Sequence, residues 1–501
     1  MSVVTFDWVL LAPVLAPALG AVLVLLLDAL LPRATGLHLP VGLIALGVGL
    51  GALPFGLRGG GNAYSLCLPG GTDGACLYHA TSWGLGLQLA ALASTLLVLL
   101  MLGPGTTHLR RNQIGGPAVT VALLLTATAG AAMLPAVRDL PTWLVAIELA
   151  TLPAVALVAL SRTRGAEGGA LSLLMTSLTS FTLLAVGAAL WVVATRDALF
   201  AADSVATAWA DPHRHRALLL AVLLLVAGLG FKLSAVPFHL WTPQAFVHAD
   251  EPVAAFLATT SKVAALGALA VVVTPLATVA GRLGGGPSIL AVLAVLALAS
   301  MTVGNLLALR ADDPLRLLAF STVAQGGWLV MPLAMLSDRG TSAAVTYVLV
   351  YAAGSLAAFA VTAAVHTGQE GAGERSLAAY AGLARRQPLL GGALGLGLLT
   401  LAGLPPGFIG LLAKVVALRP VVDAGQWLVV AVAVVNVVLG VAVYLRWLLV
   451  LVRDPGPARA AEEEPAHVRL DPGLLAALVL AVAVLVVTSA VPGLILGLTS
   501  W

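Results

Sequence analysis

Only three of the 25 basic residues are lysine: Lys232, Lys262 and Lys414. All three fall inside apolar stretches, while nearly every connector charge is arginine. Arginine keeps its proton in essentially any site, whereas lysine gives its proton up readily once desolvated. A chain with arginine at its surfaces and lysine in its core holds a titratable cation where protons could be relayed. Glu148, in LVAIELATLPAV, is the one acidic residue well inside an apolar stretch, with Asp28 near the end of another. A charge at the centre of a bilayer costs at least ~2.5–3.5 kcal/mol on insertion scales, so these groups need partners. Pairing Glu148 with Lys232 offsets part of that cost. A static pair fixing helix register is the alternative. Three lysines against one glutamate argue against it, because two lysines are left over, carried neutral or hydrated in an internal water file.

His239 follows Lys232 by seven residues, on the same face if the helix ran on. Histidine titrates near neutrality and could bridge protons between lysines; a hydrogen-bonded packing role is an equal reading. His248, Asp250 and Glu251 sit in the connector HADEP, read as a plain solvated turn, with a hydrated mouth as the alternative. Tyr347, Tyr351 and His366 share one later span and could line a wet path.

The elements that position these residues follow from composition. Of 501 residues, 60% are hydrophobic and 9% charged, with a mean hydropathy of +1.04. Soluble domains carry roughly a quarter charged residues. Apolar runs repeatedly reach the ~18 residues that cross a hydrocarbon core about 30 Å thick. Their continuity excludes the alternating pattern of membrane β-barrels, and only helices satisfy their own backbone in lipid. The chain is therefore expected to be an all-α integral membrane protein of about fourteen spans. They run near 8–30, 38–57, 81–103, 117–136, 141–160, 169–194, 217–247, 253–274, 287–309, 314–335, 341–366, 388–418, 424–452 and 471–497. The first is read as a retained span, since it lacks a basic leader and a small-residue cleavage site.

Assigning connectors alternately to two sides puts 13 arginines on one (33, 110, 111, 162, 164, 310, 316, 375, 385, 386, 453, 459 and 469) and 8 on the other (58, 138, 196, 214, 216, 282, 339 and 419). The positive-inside rule makes the first side cytoplasmic, with both termini outside. Cys67 and Cys76, in the loop SLCLPGGTDGACLY, then also lie outside, either as a disulfide or as free thiols.

Two spans are long and interrupted, by GLGFKLSAVPFHLWTP (228–243) and LTLAGLPPGFIGLLAK (399–414). Proline lacks an N–H and breaks a helix. Pro237 is expected to free the carbonyl of Leu233, and Pro405 with Pro406 those of Leu401 and Ala402. Broken spans five apart are the expected trace of inverted repeats. The division is three N-terminal spans (1–116), repeats at 117–275 (spans 4–8) and 276–452 (spans 9–13), and a tail with the last span (453–501). No phosphate loop, no CxxC cluster and no paired haem histidines occur, so redox chemistry has no place in the chain. The net charge of +3 and the lack of basic–aromatic runs give no sign of nucleic acid.

At FKLSAVPFHLWTPQAFVHADEPVAAFLATTSKVAALGAL (231–269) the sequence resembles the antiporter-like proton-pumping subunits of the bacterial NADH:quinone oxidoreductase, respiratory complex I, and most of all their subunit N branch. FLATTSKVA is close to that family's FLAT-x-SK pattern. NLLALRADDPLRLLAFSTVAQGGWLV (305–330) and LARRQPLLGGALGLGLLTLAGLPPGFIGLLAKVVALRPVVDAG (383–425) match it in order and spacing. The resemblance covers roughly 120–450. It implies that Glu148 and Lys232 form the family's ion pair, that Lys262 is its middle lysine and that Lys414 is the terminal proton donor. It implies energy from quinone reduction elsewhere, with NADH, FMN, iron–sulfur clusters and quinone in partner subunits and none in this chain. Neighbouring membrane subunits of the same complex are the implied partners, in the bacterial plasma membrane. Gln244 and HADEP depart from the acidic residue after WTP and the GAP-type turn of many relatives. A subunit of a cation/proton antiporter complex or of a membrane-bound hydrogenase is the alternative function, and a purely structural membrane subunit a third.

Overall fold

The computed structural model describes residues 6–57, 62–67, 76–103, 116–161, 163–283, 287–368, 375–454 and 470–498. Helices α1 (Trp8–Leu30) and α2 (His38–Leu57) lead into a hairpin, β1 (Asn62–Cys67) and β2 (Cys76–Thr81), and then α3 (Ser82–Leu102). The first half continues with α4 (Gly116–Met133), α5 (Leu140–Ala159), α6 (Ala166–Thr195), the short α7 (Ala202–Ala210), α8 (Pro212–Lys232) and α9 (Trp241–His248). Next come α10 (Glu251–Ala258), α11 (Thr260–Leu283), α12 (Pro287–Ala308), α13 (Pro314–Leu333) and α14 (Asp338–Gly368). The chain closes with α15 (Leu383–Arg386), α16 (Pro388–Ala402), α17 (Phe408–Asp423), α18 (Trp427–Val452), α19 (Pro472–Ala490) and α20 (Gly493–Leu498).

Among the described residues, twelve helical segments are long and apolar enough to cross a membrane. The other two expected spans are the buried helix α13 and the broken pair α16–α17. Where acidic residues do occur, many start helices. Asp139, Asp211, Asp313 and Asp471 accept backbone N–H groups of the following turn, with proline in its first positions. A carboxylate cap with a proline that needs no donor suits a helix start at a membrane surface. Inside the bundle, glycines let helices touch: a Cβ at Gly304 on α12 would stand 2.5 Å from the backbone nitrogen of Ala324 on α13.

Connectors gather at two ends, in the alternation expected from the sequence. At one end His248 Nδ1 bonds the Arg164 carbonyl at 2.8 Å, and the Leu377 N–H donates to Asp312 at 2.8 Å. At the other, the Leu140 N–H donates to Ala198 at 2.9 Å, and Phe200 to Arg138 at 2.8 Å. Arg58, Arg110, Arg111, Arg162, Arg459 and Arg469, which entered the charge count, lie outside the described residues. The α10–α11 span and α14 are almost wholly enclosed by protein, while α1, α6, α18 and α19 turn most of their surface outward. The bundle thus has an interior axis, with Lys262 and Lys414 buried inside it and Glu148 and Lys232 half-buried beside it.

Two expectations need correction. The cysteine segment is a hairpin, not a loop throughout: Cys67 and Cys76 are cross-strand partners joined by a disulfide, and residues 68–75 lie outside the described ones. Tyr78 seats the hairpin on the bundle, donating to the Leu10 carbonyl and accepting from Gln88 at 2.8 Å. Second, Asp250 and Glu251 are not a solvated turn. They are 4% and 3% exposed: Ser161 Oγ accepts the Asp250 N–H, and His366 and Arg375 close over the Glu251 carboxylate.

Candidate functional site

The seventh span stops being helical at Lys232 and resumes at Trp241. Ser234 turns left-handed (φ 57°) and Val236–Pro237 is cis. Two carbonyls before the expected Leu233 find side-chain partners: that of Phe231 accepts from Trp241 Nε1 at 2.8 Å, and that of Lys232 from a lysine. The Lys232 oxygen takes its hydrogen bond from Lys262 Nζ at 3.1 Å. Lys262 is fully buried; it also donates to Ser234 Oγ, which accepts from Thr242 at 2.6 Å, and its Nζ lies 5.2 Å from the centre of the Trp241 ring. The Leu233 carbonyl instead faces Gly326 of α13, at 2.9 Å from where a Cβ would sit.

The twelfth span repeats this arrangement. α16 ends at Ala402, Pro405–Pro406 is cis, and α17 starts at Phe408. Lys414 Nζ donates to the Leu401 carbonyl at 3.0 Å and the Ala402 carbonyl at 2.5 Å, the two expected to be freed. It too lies over an indole, 5.8 Å from the centre of Trp328. In both cases a lysine cation meets the carbonyl end of a half-helix, where the backbone dipole is negative, and an aromatic face within cation–π range. Broken spans with side chains at their exposed ends are the usual way to build a site in mid-membrane.

Glu148 and Lys232 face each other without a closed pair in this conformer. Lys232 Nζ donates to Thr151 Oγ1 and lies 3.5 Å from the Ile147 carbonyl, while Glu148 Oε1 is buried with no hydrogen-bond partner. Thr151 is three residues beyond Glu148 on α5 and so shares its face. Beside Lys232 a cavity of about 20 Å³, lined by Thr151, Thr176, Ser177, Ser180 and Ser261 among others, has room for a water molecule. His239 is 8% exposed with Nδ1 buried and unpartnered, and no hydrogen bond joins it to a lysine.

The sequence reading named Tyr347 and Tyr351 but missed the groups they lead to between Lys262 and Lys414: Gln325, Tyr444 and Ser321. Gln325 on α13 donates to the Tyr444 hydroxyl at 2.8 Å and accepts from Tyr347 at 2.5 Å, and its Nε2 faces the Leu401 carbonyl at 3.5 Å. Tyr444 bonds Ser321 at 2.6 Å. Tyr351 donates to the Ala258 carbonyl, one turn before Lys262, at 2.9 Å. Trp328 stacks on Tyr347 with ring centres 5.8 Å apart. A buried amide in STVAQGGW was the available signal, since a polar side chain in an enclosed span demands partners.

The arrangement sets ammonium, carboxylate and hydroxyl groups, all able to exchange protons, within hydrogen-bond steps of neighbours. A family model described as NADH:quinone oxidoreductase/Mrp antiporter, TM, matches residues 137–440. The protein named NADH-quinone oxidoreductase subunit N 2 of Streptomyces griseus subsp. griseus is 38% identical, covering 99% of this chain and 94% of its own. NADH-quinone oxidoreductase subunit N of Salinispora tropica is also 38% identical, covering 91% of this chain and 88% of its own. Among solved structures, a chain of respiratory complex I from Thermus thermophilus with bound aureothin superposes with a TM-score of 0.76 at 29% identity, over 97% of this chain and 98% of that one.

Proposed function

Because the chain belongs to the NADH:quinone oxidoreductase/Mrp antiporter membrane family, we propose that it works as the proton-translocating subunit N of a bacterial NADH:quinone oxidoreductase. The observation that carries this reading is the repeated junction of a buried lysine with the carbonyl end of a broken helix, at Lys262–Lys232 and at Lys414–Leu401. A lysine that only fixed the fold would need no hydroxyl and amide network leading away from it.

In this reading Lys232 moves between Thr151, where it now lies, and Glu148, one helical turn along α5. Closing that pair offsets part of the ~2.5–3.5 kcal/mol that each intramembrane charge costs, and opening it withdraws the offset. Lys232 is tied through its own carbonyl to Lys262, so its displacement is felt there. From Lys262 the proton passes by way of Tyr351, Tyr347 and Gln325 to Lys414, the donor toward the outer face. Each hydroxyl on this route accepts one proton as it releases another. His239 has no place on the route in this conformer. NADH oxidation and quinone reduction, with FMN and iron–sulfur clusters, belong to partner subunits. The side bearing Arg164, Arg310 and Arg375 is cytoplasmic, both termini lie outside, and the spans 4–8 and 9–13 act as the two repeats.

The test is proton pumping measured beside NADH:quinone activity in membranes carrying Lys232→Ala or Glu148→Ala, with assembly checked. Loss of pumping in an intact complex is the expected result. Unchanged pumping per electron would leave these charges a structural role only.

A further inference from the structure

Lys262 and Lys414 lie at mid-depth, so a proton reaching them from either face crosses about 15 Å of hydrocarbon-depth protein, half the core thickness. Three ionisable side chains outside that lysine set meet at the end that carries Arg164 and Arg310. Glu251 opens α10 and its side chain is 4% exposed. His366, near the end of α14, sets Nδ1 2.5 Å from Glu251 Oε1. Arg375 brings a guanidinium nitrogen to 3.4 Å from the same oxygen and donates from another to the Val247 carbonyl at 2.8 Å. The His366 side chain is 41% exposed, so the imidazole stands between water and a buried carboxylate.

α14 continues inward from this cluster as a polar stripe. His366, Thr362, Ser355, Tyr351 and Tyr347 follow one another at intervals of four, seven, four and four residues, which keeps them on one helix face. All but His366 are buried. The stripe ends at Tyr351, on the Ala258 carbonyl and Thr322, and at Tyr347, on Gln325. Its one turn without a polar side chain lies between Ser355 and Thr362, about 10 Å along the axis.

We propose that Glu251, His366 and Arg375 form a proton-intake port, which delivers protons along the polar stripe of α14 to the Tyr351–Tyr347–Gln325 network. His366 takes a proton from water and passes one from Nδ1 to the Glu251 carboxylate, while Arg375 holds that carboxylate in place and compensates its charge. The neutral carboxyl then gives its proton inward, over water across the unlined turn and by exchange at the Thr362, Ser355 and Tyr351 hydroxyls. Tyr380 also faces Glu251. Among the described side chains, the remaining ionisable groups on the elements packed against α10 are Asp250 beside it, His248 on α9, Glu148 on α5, Lys262 on α11, Asp313 with Arg316 at the start of α13, and Asp338 with Arg339 at the far end of α14. None of these bridges Glu251 to water as His366 does. The port rests on the proton-translocating reading above, to which it adds the intake side.

The experiment uses inside-out membrane vesicles holding the whole complex, with Glu251→Gln and His366→Ala compared with Lys232→Ala. Pumping per electron is followed from about pH 6 to about pH 8, the range over which imidazole loses its proton, and assembly is checked by native gel. The port predicts a severalfold loss in both port variants that deepens as pH rises, because bulk protons must replace a collecting site. A loss equal at every pH, or none, in assembled complex would overturn it. Should Glu251→Gln fail to assemble, His366→Ala, altered at a half-exposed side chain, decides alone. Normal pH profiles in the port variants with Lys232→Ala inactive would reject the port and keep the pump. Full pumping in Lys232→Ala would reject the pump itself.

Discussion

The ammonium of Lys262 is held by the main-chain carbonyl of Lys232, 3.1 Å away and thirty residues back in sequence. Two lysines that sequence reading treats as separate stations are therefore joined through a backbone group, and the helix break at residues 233–240 is the joint. Pumping models that move only side chains leave out this link, since a shift of the half-helix end displaces both residues together.

Replacing Lys262 by methionine keeps the volume of the stem and removes the donor. The Lys232 carbonyl is then buried without its partner, at a cost of about 1–3 kcal/mol. The expected outcome is an assembled complex with a lowered melting temperature and no pumping through this subunit. Thermal unfolding of the purified complex beside vesicle acidification checks both halves. A variant with unchanged stability would show that the joint contributes nothing.

Gln325 presents an acceptor to Tyr347 and a donor to Tyr444, and only a side chain with both functions can do so. Gln325→Leu strands the Tyr347 hydroxyl in an enclosed span. Pumping per electron should fall severalfold, with quinone reduction retained in uncoupled membranes. Gln325→His, which again offers a donor and an acceptor, should restore much of it; equal loss in both variants would count against a relay.

Much of the architecture was legible because apolar length and connector charge are one-dimensional properties. The two helix breaks followed from Pro237 and from Pro405–Pro406, and the freed carbonyls of Leu401 and Ala402 are the ones Lys414 occupies. At the first break nothing in the sequence pointed to the Lys232 carbonyl, which is left open by the left-handed turn at Ser234 and by the Val236 N–H going to Ser300 Oγ. The Gln325 network and the burial of Glu251 depend on which faces of distant helices meet, and periodicity in an evenly apolar span carries no such face. HADEP read as solvent-exposed on composition, but Ser161 takes the Asp250 N–H and His366 with Arg375 takes the Glu251 carboxylate, partners distant in sequence.

At the opposite end the hairpin is closed by Cys67–Cys76, nine residues apart. In the chain-entropy account a loop of about 15 residues gains ~3 kcal/mol from its disulfide, and a shorter one somewhat less. The double variant Cys67→Ser with Cys76→Ser should therefore leave pumping intact, because the hairpin touches none of the lysines, while limited proteolysis cuts 62–81 faster. Peptide mapping without reductant should recover the two cysteines linked in the unaltered protein.

Asp211 caps α8 outside the membrane. Its carboxylate accepts the His213 N–H at 2.9 Å and bonds Arg214 at 2.8 Å, contacts that hold its pKa below the usual carboxylate value. A depressed folded-state pKa means stabilisation that is present above the unfolded value, about 3.9, and lost as pH falls through the folded one. Protection from hydrogen exchange at residues 211–216, taken relative to the intrinsic rate at each pH, should be constant near neutrality and fall only in acid, and Asp211→Ala should show weak protection throughout. Protection in Asp211→Ala equal to that of the unaltered protein would mean the cap contributes nothing.

Gly326 sets how closely α13 can press on the first helix break. A methyl group there would stand 2.9 Å from the Leu233 carbonyl oxygen, too near for either to stay in place. Gly326→Ala therefore has to push α13 off the break or move the break itself, a strain of about 1–3 kcal/mol. Either movement separates Gln325, the adjacent residue, from its tyrosines or draws the Lys232 carbonyl away from Lys262. The variant should assemble with a lower melting temperature and lose pumping out of proportion to quinone reduction. Gly47→Ala and Gly392→Ala meet no atom within 4 Å and serve as controls that change composition without pressure. Pumping by Gly326→Ala at the level of those controls would mean that the break tolerates displacement, and the coupling between the Lys232 carbonyl and Lys262 would then have to be a passive contact.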